Sequence, residues 1–179
     1  KIRLTTMGFK NVYNYGSLDV EFAYNVIKLL KIEPQSKYLL VLYHPIPGED
    51  QSVLEAVLKR FDYPIIRISG NKDYQKETVG ERYSPEEFLK LMNGASCVIG
   101  NSSSGLKEAS IMGVPVVDVG ERQQNRLKPE NVVQSQYVED EIYNTINYQL
   151  RHGRYEPSDL YYMPETSKKI ASAIRSLTS

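Results

Sequence analysis

Cysteine is nearly missing from this chain: among 179 residues there is one, Cys97. A single thiol forbids an internal disulfide and any zinc site built from several cysteines. Histidine is almost as scarce. His44 and His152 stand far apart and outside metal-ligand spacing, so neither a metal nor a cofactor is expected. Net charge is absent as well, with 22 Lys+Arg against 22 Asp+Glu. That balance argues against bulk attraction to nucleic acid or an anionic membrane, while leaving room for a local anion site. No apolar run approaches the roughly 20 residues of a membrane-crossing helix. The opening residues Lys1-Ile2-Arg3-Leu4-Thr5-Thr6 lack the apolar stretch of a secretory signal. A reducing, cytoplasmic compartment is the expectation. A chain that starts on Lys1 rather than Met is expected to be a fragment or a processed product.

What is present is ordinary for a folded domain: 41% hydrophobic and 25% charged residues. At this length one domain over residues 1–179 is expected, burying roughly 70% of the surface its unfolded chain exposes. Four short apolar runs recur: Tyr38–Tyr43, Pro64–Ile68, Ala95–Ile99 and Pro115–Val119. Apolar on both faces and rich in β-branched residues, they read as buried strands of a parallel sheet. Helical spacing lies between and after them, at Val20/Ala23/Val26/Ile27/Leu30, at Val53/Leu54/Val57/Leu58/Phe61, at Val138/Ile142/Ile146/Leu150 and at Ile170/Ile174/Leu177. Ser84-Pro85-Glu86-Glu87 opens a further helix with a capping box and a proline in the first turn, and Asn93-Gly94 ends it. Leu106, Ala109 and Met112 predict a short helix closed by Gly113. Three stretches, 71–82, 120–131 and 154–164, read as irregular. Alternating strand and helix implies an α/β layer with right-handed crossovers, and in such sheets ligands sit beyond the carboxyl ends of the strands. The loops at His44, Gly100 and Gly120 leave those ends.

The segment Gly100-Asn101-Ser102-Ser103-Ser104-Gly105-Leu106-Lys107-Glu108 joins a buried strand to a helix through small residues. Small side chains let an anion approach backbone N–H groups, and the serine hydroxyls add donors. It is neither a Walker A loop nor the dinucleotide fingerprint. The alternative is a serine-rich cap on a buried helix. Glu108, about one turn into that helix, suits ribose hydroxyls better than phosphate, or it is an exposed helix glutamate. Arg122 and Arg126, four apart in a polar loop at the same edge, suit a diphosphate, or they belong to a solvated loop. His44 is placed either to contact phosphate or sugar and act as an acid or base, or to cap a strand end. His152 reads as a helix C-terminal cap, and Cys97 as core.

These residues together resemble the C-terminal half of the UDP-N-acetylglucosamine 2-epimerases, particularly the hydrolysing type of sialic-acid and related nonulosonate synthesis. The likeness runs through Ile99–Gly105, Glu108, Gly113–Val117 and Gly120–Arg126 on to Glu130-Asn131-Val132. His44-Pro45 and Val12–Gly16 with Asp19 match as well. The resemblance implies one half of a GT-B-type fold of two Rossmann-like domains, this half holding the UDP moiety. It implies that Asn101, Ser102, Ser103, Ser104 and Gly105 meet the diphosphate and Glu108 the ribose. Arg122 and Arg126 would face phosphate or sugar, and the backbone near Tyr83 the uracil. His44 would assist departure of UDP. The expected ligand is UDP or a UDP-N-acetylhexosamine. The carboxylates that handle the sugar proton are expected on an N-terminal catalytic domain, so this chain alone should be inactive. A homo-oligomer is a further implication. Where that domain would dock, an exposed apolar patch is expected, bordered by the loops at His44, Ser102 and Arg126. One departure concerns the sugar side. The family's Tyr-Gly-Asp-Gly motif near the C-terminus is replaced by Leu160-Tyr161-Tyr162-Met163-Pro164-Glu165. The alternative reading is a stand-alone nucleotide-sugar-binding subunit of a split epimerase or of a glycosyltransferase.

Overall fold

A computed structural model describes residues 17–30, 37–68 and 83–177. The matches at Val12–Gly16 and the stretch 71–82 lie outside the described residues. Five strands, β1 (Leu39–Leu42), β2 (Ile65–Arg67), β3 (Cys97–Gly100), β4 (Val116–Val119) and β5 (Val132–Ser135), form one sheet in the order β2-β1-β3-β4-β5. Every pairing is parallel. The four apolar runs each become a strand. β5 is a correction, because it falls in a region from which no strand is expected. Only Val132 and Ser135 of β5 are buried, as befits a strand at the sheet margin with Gln134 and Ser135 in its sequence.

Helices cover both faces. On one side Leu40, Leu42, Val98, Val116 and Val132 pack against α1 (Leu18–Leu30), through Val20 and Ala23, and α3 (Pro85–Gly94), through Leu89 and Met92. On the other, Leu39, Val41, Cys97, Ile99, Val117 and Val119 meet Leu54, Val57 and Leu58 of α2 (Ser52–Leu58) and Ile142 and Ile146 of α5 (Glu139–His152). Alternate residues of each strand thus feed opposite cores, which is why the strands read as unbroken apolar runs. Each fully buried Leu or Ile contributes about 1.5–3 kcal/mol relative to exposure.

α3 starts as its sequence dictates. The Ser84 hydroxyl accepts from Glu87 N–H at 3.2 Å, and Glu87 Oε2 accepts from Ser84 N–H at 2.7 Å. The helix expected around Leu106, Ala109 and Met112 is instead two pieces, α4 (Ser103–Leu106) and a 3-10 turn at Ser110–Met112. A spacing of three suits the three-residue period of a 3-10 turn as well as an α-helix. Gly113 ends the second piece at φ +65, where a Cβ would sit 2.0 Å from Tyr155 O. α6 (Thr166–Leu177) closes the described chain beside α1, its Ser167 N–H donating to Glu21 Oε2 at 2.9 Å. Large apolar side chains stand exposed at Leu127, next to Arg126, and at Leu18 and Phe22, which with Tyr162 and Pro164 line an open groove between α1 and α6.

Candidate functional site

The strand order reverses direction between β1 and β3, with β2 on one side and β4 on the other. A crevice opens at such a switch point, beyond the carboxyl ends of the strands. Leu42 there lies in register with Gly100. Gly100 has φ +145, and a Cβ on it would stand 2.2 Å from Leu42 O. Glycine is required by both the angle and the approach. The chain then turns so that Asn101 is wholly buried. Asn101 N–H donates to Leu42 O at 3.2 Å. Its side-chain Oδ1 accepts from His44 N–H at 2.7 Å, while Nδ2 donates to His44 O at 2.9 Å. Its carbonyl accepts from Arg122 at 2.9 Å and from Gln123 Nε2 at 2.8 Å. His44, the serine turn and the Arg122-Gln123 turn are therefore in one place. Each polar group of Asn101, expected among the ligand contacts, has a protein partner.

Ser102 caps α4, its hydroxyl accepting from Ser104 N–H at 3.4 Å, and Gly105 N–H goes to Ser102 O at 3.1 Å. α4 is only four residues long, so what it offers a ligand is local N–H groups rather than a large dipole. Gly105 is buried where a Cβ would meet Val116 Cγ1 at 3.1 Å, so glycine here also serves close packing on β4. Glu108 lies beyond the end of α4, in the turn before the 3-10 piece, rather than one turn inside a helix. It is 9% exposed, and its Oε2 has no hydrogen-bond partner. Burial raises its pKa, and Lys107 opposes this. Lys107 itself is held by Asp19 of α1 at 2.7 Å. Tyr83 immediately precedes the cap of α3, half-buried. A crossover helix starts at the carboxyl edge of a parallel sheet, so Tyr83 belongs to the same rim.

His44 has its pKa lowered, first by burial and then by the neighbouring Arg122 guanidinium. The imidazole is thus held toward its neutral form. Arg126 stands near Tyr161, whose hydroxyl donates to Leu127 O at 2.5 Å. Two anchors of the arginine loop escaped the sequence reading. Asp118 of β4 is buried and pairs with Lys128 at 3.1 Å, and Lys128 Nζ also donates to Gln134 Oε1 at 2.7 Å. Burial raises the Asp118 pKa, and Lys128 opposes it. The signal was a charged residue inside an apolar run, which demands a partner. The second anchor is buried Gln123, which no periodicity marks. His152 ends α5 and stacks on Tyr155 at 3.7 Å, and Cys97 is buried. Among the described residues no three His, Cys, Asp or Glu side chains group as metal ligands, and no helix is long and apolar enough to cross a membrane.

The fold and rim define a Rossmann-like α/β protein with its polar loops gathered at a strand-order reversal. The family model described as UDP-N-acetylglucosamine 2-epimerase matches residues 1–175, and the chain belongs to that family. It is 27% identical over 188 residues to the UDP-N-acetylglucosamine 2-epimerase of Neisseria meningitidis serogroup B, covering 89% of this chain and 50% of that protein. It is 26% identical over 170 residues to the GDP/UDP-N,N'-diacetylbacillosamine 2-epimerase (hydrolyzing) of Campylobacter jejuni, covering 76% of this chain and 44% of that one. The chain thus spans about half the length of the curated relatives it matches. The crystal structure of Methanocaldococcus jannaschii UDP-GlcNAc 2-epimerase in complex with UDP-GlcNAc and UDP superposes with a TM-score of 0.73 at 14% identity, over 97% of this chain and 58% of that one. That likeness speaks for the fold.

Proposed function

We propose that this chain is the nucleotide-holding half of a hydrolysing UDP-N-acetylglucosamine 2-epimerase that converts UDP-GlcNAc to N-acetylmannosamine and UDP. The observation that carries the reading is the convergence of His44, the Ser102–Gly105 turn and Arg122 at the strand-order reversal, in a chain of this family. The amides of Ser102 and Ser103, with the Ser103 and Ser104 hydroxyls, face the diphosphate, whose charge Arg122 and Arg126 balance. Glu108, buried with an unpartnered oxygen, accepts from the ribose hydroxyls, which repairs an otherwise costly vacancy in its hydrogen bonding. The Tyr83 backbone meets the uracil. A diphosphate next to His44 offsets the Arg122 charge and favours the protonated imidazole. Protonated His44 then assists as the bond from C1 to the diphosphate oxygen breaks. The C2 proton is removed by carboxylates outside this chain, leaving a 2-acetamidoglycal to which water adds. A soluble, cytoplasmic setting and service to acetamido-sugar synthesis of the sialic-acid type belong to the same reading.

The test is calorimetric titration of the chain with UDP, repeated on Glu108→Ala. Binding by the natural chain that drops tenfold or more in the variant, about 1.4 kcal/mol or more, is expected. Equal affinity of the two chains, or none in the natural chain, would overturn the assignment of the nucleotide to this edge.

A further inference from the structure

The three rim loops are distant in sequence, with Asn101 lying 57 residues from His44 and 21 from Arg122. Yet one buried side chain and its own carbonyl join them. The demand on that side chain is narrow. It must present an acceptor to His44 N–H and a donor to His44 C=O at the same time, at 2.7 and 2.9 Å. A carboxamide one methylene from the backbone does this. Aspartate lacks the donor, serine lacks the second group, and glutamine carries the amide one carbon too far.

We propose that Asn101 is a positioning residue that locks the His44 loop, the serine turn and the Arg122 turn into one unit, its side chain setting where the His44 imidazole stands and its carbonyl where Arg122 stands. This deepens the nucleotide-site reading and rests on it. Asn101 touches no ligand atom in this scheme. It acts through His44 and Arg122, so that a diphosphate meets cationic groups already placed, with little ordering left to do on binding.

The experiment uses the full chain, with the His44 imidazole followed by NMR through a pH titration. In the natural chain His44 titrates below the ordinary histidine range and its amide exchanges slowly. In Asn101→Ala the His44 pKa moves back up toward the ordinary histidine range, since the loop loosens from its burial and from Arg122. UDP affinity falls tenfold or more. A residue that merely supports the fold would lower the melting temperature and leave the His44 titration unchanged in the folded protein; that result overturns the proposal. Should the variant fail to fold, amide exchange in the natural chain decides. A His44 amide exchanging as fast as that of Gly48 in the same loop overturns it, and a protected one supports it. Absence of UDP binding in the natural chain would sink the nucleotide reading, while the ligand-free His44 measurements still judge Asn101.

Discussion

Replacing Gly100 with alanine perturbs the meeting point of β1 and β3 without removing any polar group. The added Cβ meets Leu42 O at 2.2 Å, Leu42 C at 2.5 Å and Tyr43 N at 3.0 Å, all of them backbone. No side chain can swing away to make room. Ordinary contact is restored only if the ends of β1 and β3 separate by roughly 1 Å. That stretches the Asn101 N–H to Leu42 O bond, already 3.2 Å, and pulls His44 from Asn101. The backbone angle, φ +145, adds about 1–3 kcal/mol of conformational strain for a residue with a Cβ. Overpacking adds about 1–3 kcal/mol. The sum, about 2–6 kcal/mol, is a large part of the 5–15 kcal/mol that holds a typical domain folded. In urea, with a slope of about 2 kcal/mol per molar, the midpoint should fall by about 1–3 M. Gly153→Ala is the control. It also has positive φ, at +74, but nothing lies within 4 Å of its Cβ, so it carries the strain without the clash. If Gly100→Ala lowers the midpoint no further than Gly153→Ala, the close approach of the two strand ends is not as described.

Two further predictions concern stability. Burial raises the folded pKa of Glu108 above its unfolded value, so the stability carried by the protonated form is complete below the unfolded pKa and is lost as pH rises through the folded one. Glu108→Gln should therefore unfold at a higher temperature than the natural chain at neutral pH, with the gap closing by about pH 4; a less stable variant at neutral pH would count against a strained carboxylate. Ser84→Ala removes the bond to Glu87 N–H and should cost about 1 kcal/mol, read as a melting temperature lower by about 2–4 °C.

The sequence alone determined the layers of this protein. Tyr38–Tyr43, Ala95–Ile99 and Pro115–Val119 read as strands buried on both sides, because they are short apolar runs bounded by turn residues and rich in β-branched side chains, and the capping box at Ser84 starts its helix from local sequence. It also marked which loops share an edge, since parallel strands turn out to the same side. Tertiary structure decided the rest. β5, with Gln134 and Ser135, becomes a strand only because β4 offers it a ladder of hydrogen bonds. The turn at Glu108 breaks the expected helix, and the burial that raises the pKa of this carboxylate arises only in the folded chain. Above all, the partnership of Asn101 with His44, Arg122 and Gln123 spans residues that no periodicity connects. It exists because the order β2-β1-β3-β4-β5 brings the ends of β1, β3 and β4 together, and strand order is set by the packing of both cores at once rather than by any local stretch of chain.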